Sequence, residues 1–506
     1  MTDTPAGARM PLAQPAARPV FSENYKRLVL VLLVVAYTLN FIDRTIIATI
    51  GQAIKVDLKI TDTQLGLLGG LYFALLYTLL GIPIARFAER FNRVNIIAAA
   101  IVVWSGFTAL CGTAANFATL AAYRFGVGVG EAGLSPPAHS LISDYYEPKK
   151  RASALAVYAF GIPLGAMLGA IIGGQMLDHF TWRTAFMLVG LPGVAVAIAL
   201  KLLVKEPPRG HSEADGGASA RAAAAGKAYS LGAEFKEIGA VFATLFGNWP
   251  VLNIVLGTTL VSFAGYGGGQ FAPPYFIRAF HLSYGEVGLI IGLAVGISQG
   301  IGTLAGGPIT DRLSRRSPRW YALTPAIGLT AAFPFYVAVY KAATWQQAVM
   351  FILLPGILAC LHLGPTFGVI QNMAPTHRRA TAAAILLFVV NLIGLGGGPP
   401  FTGWVIDHFA AFHLANPGET GMWAAISHVF ATDTASFSAA CPGGIAPKAA
   451  GVEAAASCSG ALVRATRQGI IVTYSIGVWG AFHYLLASFG LKEALARARA
   501  DRGEAD

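Results

Sequence analysis

Two short segments of this 506-residue chain combine acidic and basic residues within otherwise apolar sequence. In the first, Asp43 and Arg44 are neighbours, so their side chains point about 100° apart on a helix. In the second, Arg124 and Glu131 are seven residues apart, which places them on one face of a helix. Such a set can bind an ionic ligand and carry a proton, or it can form a static buried ion network.

The sequence around these charges consists of apolar runs of membrane-spanning length. The chain is 55% hydrophobic and 12% charged, about half the charge of an ordinary soluble domain. Runs of roughly 20 apolar residues recur, each long enough to cross a bilayer as a helix. We therefore predict an all-α polytopic membrane protein of twelve spans, at 27–50, 64–87, 94–115, 118–142, 153–178, 184–204, 250–277, 285–310, 320–340, 346–373, 380–408 and 468–490.

Charges in the middle of such spans are candidates for function, because each costs about 3 kcal/mol at the bilayer centre. Glu131 lies about 20 Å along its predicted span, close to mid-membrane, and is our candidate for the proton-coupling residue. The alternative remains a purely structural network, since two cations and two anions nearly neutralise each other. The candidate residues for proton coupling and substrate binding are Tyr37, Asn40, Asp43, Arg44, Arg124 and Glu131.

Composition and motifs exclude several other classes of function. The apolar runs rule out a soluble enzyme, a disordered chain and a coiled coil. The net charge of +11 does not indicate nucleic-acid binding, because the basic residues are dispersed through short loops without a basic face. No metal-ligand cluster, nucleophile elbow, Walker loop or dinucleotide glycine motif occurs in a loop, so we expect no enzymatic activity, no metal and no cofactor.

The distribution of positive charge predicts the orientation in the membrane. If the N-terminus is cytoplasmic, most of the 36 Lys and Arg residues fall in inside loops and tails, as the positive-inside rule requires. Both termini would then be cytoplasmic, in the inner membrane. The predicted organisation is a disordered tail at 1–26, a six-helix bundle at 27–204, a linker with an amphipathic helix at 205–249, a second bundle at 250–490 with an extracytoplasmic loop at 410–465, and a tail at 491–506.

The two predicted bundles repeat each other in sequence. An acid followed by Arg occurs after the second span (Ala85 to Arg93) and again after the eighth span (Gly307 to Arg316). A second echo closes the fifth and the eleventh spans, as Asp178-His179-Phe180 and Asp407-His408-Phe409. A parallel repeat of six helices is the plan of one large class of transporters.

With this repeat, the chain resembles the major facilitator superfamily, whose most specific motif is the acid-Arg loop between its second and third helices. The first copy departs from the usual pattern, since Ala85, Glu89 and Asn92 stand where that pattern has Gly, Asp and Gly. The resemblance implies that these charges brace the two halves in one conformation; the alternative is that they only anchor topology. The brace residues so implied are Arg86, Glu89, Arg90, Arg93, Arg151, Asp311, Arg312 and Arg315.

Two glycine stripes at four-residue steps keep one face of a helix bare, so that another backbone can approach closely. The resemblance implies that the fifth and eighth helices face each other between the halves, where glycine contact would let the halves rock. Ordinary small-residue packing is a compatible alternative. The stripes are Gly161, Gly165, Gly169 and Gly173 in the fifth span, and Gly288, Gly292, Gly296 and Gly300 in the eighth.

Within the superfamily, the segments 40–44, 128–132 and 158–165 resemble the spinster branch. That resemblance implies a monomeric transporter of lysophospholipid- or sphingolipid-like substrates, with protons as a coupled ion and the bilayer as partner. The organic anion:cation symporters share the charged residues, so a small soluble organic anion or drug-like compound is the alternative substrate. His362 would be a relay for protons or, as for most single histidines in spans, a packing residue.

Four cysteines divide into two groups by the predicted topology. Cys111 and Cys360 fall inside spans and are expected to be inert. Cys441 and Cys458 fall in the predicted extracytoplasmic loop, where an oxidising environment permits a disulfide. We predict that they are bonded to each other, with two free thiols as the alternative.

Overall fold

The structure of the protein is a computed structural model that describes residues 21–212, 231–373 and 379–500. Most of the predicted N-terminal tail, the glycine- and alanine-rich part of the linker and Arg378 lie outside the described residues. The described ranges consist of helices and the segments between them, without a strand. The predicted all-α polytopic fold is thereby confirmed.

Twelve long helices, labelled α1–α12, follow each other along the described residues. Five of them contain a break or an irregular turn, so that each of these five consists of two or three consecutive pieces. Their bounds are as follows: α1 Glu23–Leu58; α2 Asp62–Gly69 and Leu71–Ala88; α3 Arg93–Cys111; α4 Phe117–Glu131 and Ser135–Tyr145; α5 Pro148–Ala159 and Gly161–His179; α6 Trp182–Leu203; α7 Trp249–Phe280; α8 Tyr284–Ser314; α9 Trp320–Lys341; α10 Trp345–Cys360 and Leu363–Met373; α11 Arg379–Val389, Val390–Leu395 and Gly396–Ala415; and α12 Gly451–Ser488.

Eleven helices among the described residues are long and apolar enough to cross a membrane. The exception is α4, because it is interrupted after Glu131 into pieces of 15 and 11 residues. The break is a turn of three residues, 132–134, directly after the buried Glu131 carboxylate. Irregular backbone at this depth is tolerated where it is enclosed by protein or lines a polar cavity.

The segment between α11 and α12 is more structured than predicted. The residues expected to form a loop at 410–465 include the end of α11, two short helices at Met422–Ser427 and Thr434–Ala440, and the first part of α12. Helix α12 begins at Gly451, well before the predicted start at 468, because its first turns are rich in small and polar residues that are helical without being apolar. The linker contains the helix Leu231–Phe246.

Because successive helices run in opposite directions, their ends lie at two faces of the bundle. We call the end near Glu23 and Ser488 the termini face, and the end that carries Cys441 and Cys458 the disulfide face. These two cysteines form a disulfide with a Cα–Cα distance of 5.8 Å, the predicted pair. Helices α1–α6 are called the N half and α7–α12 the C half.

The two halves meet at the disulfide face. Helix α5 packs along α8, and the first turns of α2 pack along α11. A side chain at Gly66 of α2 would overlap the backbone of Pro399 and Pro400 in α11, and one at Gly174 of α5 would overlap the backbone of Tyr284 and Gly288 in α8. Backbones of opposite halves therefore touch directly at this face.

The glycine stripe of α5 does not lie between the halves, so that prediction is wrong. Its four glycines face α1 of the same half: a Cβ at Gly165 would lie 2.5 Å from the Phe41 Cβ atom, and one at Gly161 would lie 3.1 Å from the Tyr37 Cβ atom. Gly169 and Gly173 face Thr45 and Ile46 in the same way. The stripe thus packs the N half internally.

The first three glycines of the α8 stripe contact the N half, and the fourth does not. Gly288 packs on Ala170 and Gly174, while Gly292 and Gly296 pack on Met167. Gly300, one turn closer to the termini face, has open space where a side chain would be. The halves therefore diverge from the level of Gly296 toward the termini face.

Candidate functional site

The centre of the N half holds an ion pair between α1 and α4. The Nε atom of Arg44 donates to Oε2 of Glu131 at 2.6 Å. Helix α4 comes this close to its neighbours because its glycines are bare: a Cβ at Gly130 would lie 2.5 Å from the backbone nitrogen of Trp104 in α3. The structure therefore brings together one residue from each of the two segments singled out in the sequence.

Arg44 is surrounded by aromatic rings. Its guanidinium lies 4.2 Å from the ring centre of Tyr77 and 4.9 Å from those of Phe41 and Phe73. Tyr266 of α7, in the C half, lies within electrostatic range of this guanidinium. The Arg44 side chain remains 12% exposed, whereas that of Glu131 is fully enclosed. Arg44 is thus the more exposed partner of the ion pair.

The second predicted pair is arranged differently. Oδ2 of Asp43 accepts a hydrogen bond of 2.5 Å from Thr108 of α3, and its carboxylate interacts electrostatically with Arg124. Arg124 is fully buried, donates through Nε to the Leu68 carbonyl at 3.3 Å and lies 5.3 Å from the Phe73 ring centre. Asp43 therefore accepts a hydrogen bond from Thr108 and lies within electrostatic range of Glu131, Arg124 and Arg44.

Several polar atoms of this cluster are buried without a hydrogen-bond partner among the residues that the structure describes. They are both amide atoms of Asn40, Oδ1 of Asp43, both terminal nitrogens of Arg124 and Oε1 of Glu131. Leaving a buried polar group unsatisfied costs about 1–3 kcal/mol, more when it is charged.

Tyr37 lies at the edge of the cluster. Its ring stacks on that of Tyr158 in α5, with ring centres 4.4 Å apart. The C half contributes aromatic and neutral polar groups: Tyr336 and Tyr474 stack at 3.8 Å, and Gln270 of α7 lies against Gly69 of α2. The charged residues of the central site therefore come from the N half.

His362 lies at the break in α10 and is buried. Its Nδ1 is 2.6 Å from the Ala359 carbonyl oxygen, and its Nε2 has no hydrogen-bond partner within the described part of the chain. Its ring packs 6.3 Å from that of Tyr484. These contacts lie within the C half, which is the arrangement expected for a packing histidine.

The family profile described as Major Facilitator Superfamily matches residues 33–399. The chain belongs to the major facilitator superfamily. It is therefore a multi-pass membrane transporter of small molecules and not an enzyme, as the sequence indicated.

Three known proteins are similar to this chain in sequence over most of its length. An MFS-type efflux pump of Mycolicibacterium smegmatis is 31% identical over 376 residues, which cover 73% of this chain and 82% of the pump. Protein spinster homolog 1 of Mus musculus is 27% identical and covers 76% of this chain and 74% of its own length. A probable L-galactonate transporter of Escherichia coli is 25% identical over 76% of this chain and 84% of its own length.

A solved structure is similar over almost the entire length. It is the crystal structure of a bacterial homolog to the human lysosomal transporter Spinster, in an inward-facing and occupied conformation. It is 32% identical, has a TM-score of 0.76, and the match covers 93% of this chain and 98% of that one. The resemblance to the spinster branch of the superfamily is thereby confirmed.

The acid-Arg motif of the superfamily lies at the termini face. Arg86 and Glu89 form an ion pair of 3.2 Å within the end of α2. In the second copy, Asp311 accepts a hydrogen bond of 3.2 Å from Tyr321 of α9, in its own half. Since the halves diverge at this face, the brace role of these residues, with Arg90, Arg312 and Arg315, stays a prediction for the opposite conformation.

Arg93, another predicted brace residue, bonds to α4 and to the linker in this structure, and its brace role likewise stays a prediction. It is fully buried and contacts Asp144 at 2.5 Å and Glu206 at 2.6 Å. Glu206 belongs to the segment that follows α6. Arg93 therefore binds the start of the linker to the termini face of the N half. Arg151 also reaches this segment, since it donates to Ser212 at 3.2 Å.

A second buried charge network lies at the disulfide face, where the sequence did not indicate one. Asp62, at the start of α2, contacts Lys55 of α1 at 2.5 Å and Arg278 of α7 at 2.7 Å. Arg278 also donates to Gln52 and Thr466. These charges resemble loop residues in the sequence because they stand at the ends of apolar runs. One carboxylate thus bonds a cation from each half.

Proposed function

We propose that this chain is a secondary active transporter that moves an amphipathic, lipid-like anion by alternating access, coupled to protons. The observation that carries the proposal is the position of Arg44. It is bonded to a buried carboxylate on one side, partly exposed on the other, and within electrostatic range of the C half through Tyr266.

The head group of the substrate would bind at Arg44. A guanidinium presents planar, paired donors that suit a phosphate or carboxylate, and Phe41 and Tyr77 hold it in place from the sides. The aromatic surfaces of the C half, including Tyr266 and the stacked pair of Tyr336 and Tyr474, offer an apolar wall for the tail. An amphipathic anion would therefore lie across the two halves.

Glu131 would couple binding to protons by competition for Arg44. When Glu131 is ionised, it holds Arg44 at 2.6 Å. When it is protonated, the ion pair is lost and Arg44 needs another anion, because an unpaired buried charge is costly. Substrate and proton would thus bind together. The unsatisfied atoms of Asn40, Asp43 and Arg124 make the surrounding cluster able to rearrange as the carboxyl changes charge.

The orientation is part of the proposal. The positive charges favour cytoplasmic termini in an inner membrane, which makes the termini face cytoplasmic. The contact of the halves at the disulfide face and their divergence beyond Gly296 would then correspond to an inward-facing state. The single bundle pair is sufficient for this cycle, so we propose that the protein acts as a monomer.

The second candidate is proton-coupled transport of a small soluble organic anion, such as a sugar acid. The similarity to a probable L-galactonate transporter favours it, and Arg44 would bind such a carboxylate equally well. The two candidates differ in what they require of the C half, because a sugar acid needs hydrogen-bond partners where a lipid tail needs an apolar wall.

Uptake into proteoliposomes tests the proposal. The purified protein would be offered a radiolabelled anionic lysophospholipid or a radiolabelled sugar acid, with an imposed proton gradient. We expect gradient-dependent movement of the lysophospholipid and none of the sugar acid. Movement of the sugar acid alone would favour the second candidate, and movement of neither would reject both substrates. Substrate-dependent thermal stabilisation across a lipid panel would extend the result to other head groups.

A further inference from the structure

The Asp-His-Phe segments at the end of α5 and in the last third of α11 are a sequence repeat that the proposed function does not use. They occupy equivalent places, because α5 and α11 are each the fifth helix of their half. Both aspartates lie at the disulfide face, and both make their hydrogen bonds to the opposite half. The two sets of contacts can therefore be compared directly.

Asp178 of the N half binds the first turn of α8. Its Oδ1 accepts from the backbone nitrogen of Gly285 at 3.1 Å, and its Oδ2 accepts from the hydroxyl of Ser283 at 3.2 Å. Ser283 is the N-cap residue of α8. Gln175, one turn earlier in α5, donates to the Gly285 carbonyl at 3.2 Å.

Asp407 of the C half binds the first turn of α2 in the same manner. Its Oδ1 accepts from the backbone nitrogen of Asp62 at 2.9 Å. Its Oδ2 accepts from the backbone nitrogen of Thr63 at 2.8 Å and from the Thr63 hydroxyl at 2.6 Å. The first backbone N–H groups of a helix have no partner within the helix and carry partial positive charge, so a carboxylate there is favourable.

The two contacts are related by the repeat. In each, an aspartate near the disulfide-face end of the fifth helix of one half accepts hydrogen bonds from the first turn of the second helix of the other half. Packing within a half does not require these contacts, because α2 and α8 already pack against other helices of their own halves. We propose that Asp178 and Asp407 are positioning residues that form a paired latch, which holds the halves together at the disulfide face and must open when that face opens.

The two sides of the latch differ in burial. Asp178 and Ser283 are exposed, whereas Asp407 is 7% exposed and Asp62 is fully buried. The α2 side is also reinforced by the ion pair between Asp62 and Arg278. Because a hydrogen bond to a buried charged group contributes more than one in water, the Asp407 contact should hold the closed face more strongly than the Asp178 contact.

The chain offers a matched control for this latch. Asp57 lies at the same face and contacts Arg183 at 2.6 Å, but both residues belong to the N half. Replacing Asp57 by Asn therefore removes an acid and an ion pair from the same face without touching a contact between halves. If the latch argument holds, this change leaves the distance between the halves unaltered.

The experiment measures the separation of the halves directly, without substrate. Spin labels would be placed at Ala115→Cys and Ala343→Cys, two exposed positions at the disulfide face in different halves, after replacement of Cys111 and Cys360 by Ser. Electron–electron double resonance then gives the distance distribution in reconstituted protein. The latch depends on the alternating-access part of the proposed function, but this readout does not depend on transport or on the identity of the substrate.

We expect Asp407→Asn to raise the ratio of long to short distances about tenfold, and Asp178→Asn to raise it about threefold. Asp57→Asn should leave the distribution unchanged. Distributions for Asp178→Asn and Asp407→Asn that match the control would overturn the latch. If Asp407→Asn does not fold, the exposed Asp178→Asn decides the question alone.

Discussion

Arg44 of α1 and Glu131 of α4 are joined at 2.6 Å, and only the arginine is partly exposed. In the proposed function the two residues have different roles, because Arg44 can contact a substrate anion whereas Glu131 is enclosed. Asp43 lies beside Arg44 in sequence but contacts Thr108 and interacts with Arg124. The cluster therefore has a ligand-accessible part and an enclosed part.

Substitution of Arg44 tests the accessible part. Arg44→Lys keeps the positive charge but removes the planar set of donors. We expect the KM for an anionic substrate to rise about 10- to 100-fold, in line with the loss of hydrogen bonds to a charged group. Flux measurements in proteoliposomes give the value. Arg183→Lys, at the disulfide face, is the control, and an equal effect in both variants would refute a role in binding.

Asp43 tests the enclosed part. Asp43→Asn removes the negative charge beside Arg124 and should destabilise the protein by about 1–3 kcal/mol or more, since it leaves a buried guanidinium poorly paired. Thr108→Val removes only the hydroxyl donor and should cost less. Thermal unfolding followed by size-exclusion chromatography compares the two. An Asp43→Asn protein as stable as the parent would show that Asp43 does not neutralise Arg124.

Substitution by alanine should affect stability to different extents at two glycines of the predicted stripes. Gly165→Ala places a Cβ 2.5 Å from the Phe41 Cβ atom and the Thr38 carbonyl, so overpacking should cost about 1–3 kcal/mol. Gly300→Ala meets open space and should change stability by less than about 0.5 kcal/mol. The measurement is the melting temperature of each variant. Equal losses would contradict the divergence of the halves at Gly300.

The sequence was sufficient to predict the helices and the central charged residues. It was not sufficient to predict which residues of other helices they contact. Long apolar runs specify spans, and charges such as Asp43 and Glu131 are conspicuous within them. A glycine stripe shows that one helix face is bare without showing which helix covers it, so the stripe of α5 was assigned to α8 when it faces α1. Lys55, Asp62 and Arg278 stand at the ends of spans, where charge is ordinary, and only tertiary structure brings them together.

The disulfide should stabilise the disulfide face without affecting substrate binding. Cys441 and Cys458 are buried, and Gly443 packs against the Lys55 carbonyl of α1, so the bridge fixes a segment that covers both halves. Cys441→Ser should lower stability by about 3 kcal/mol or less and leave the KM unchanged. Mass spectrometry under non-reducing conditions should show one linked peptide pair, and free alkylation of both thiols would refute the bridge.

The most direct test of the central claim is the response of Glu131→Gln to a proton gradient. Glutamine imitates the protonated carboxyl, so Arg44 loses its ionic partner permanently and the proton is no longer exchanged. Substrate flux would be measured in proteoliposomes with and without the gradient, with Glu453→Gln, an exposed acid in the first turn of α12, as control. We predict that Glu131→Gln retains equilibrative exchange but no longer concentrates substrate, while the control behaves as the parent. Concentration of substrate by Glu131→Gln in response to the gradient would contradict proton coupling through the Arg44–Glu131 pair.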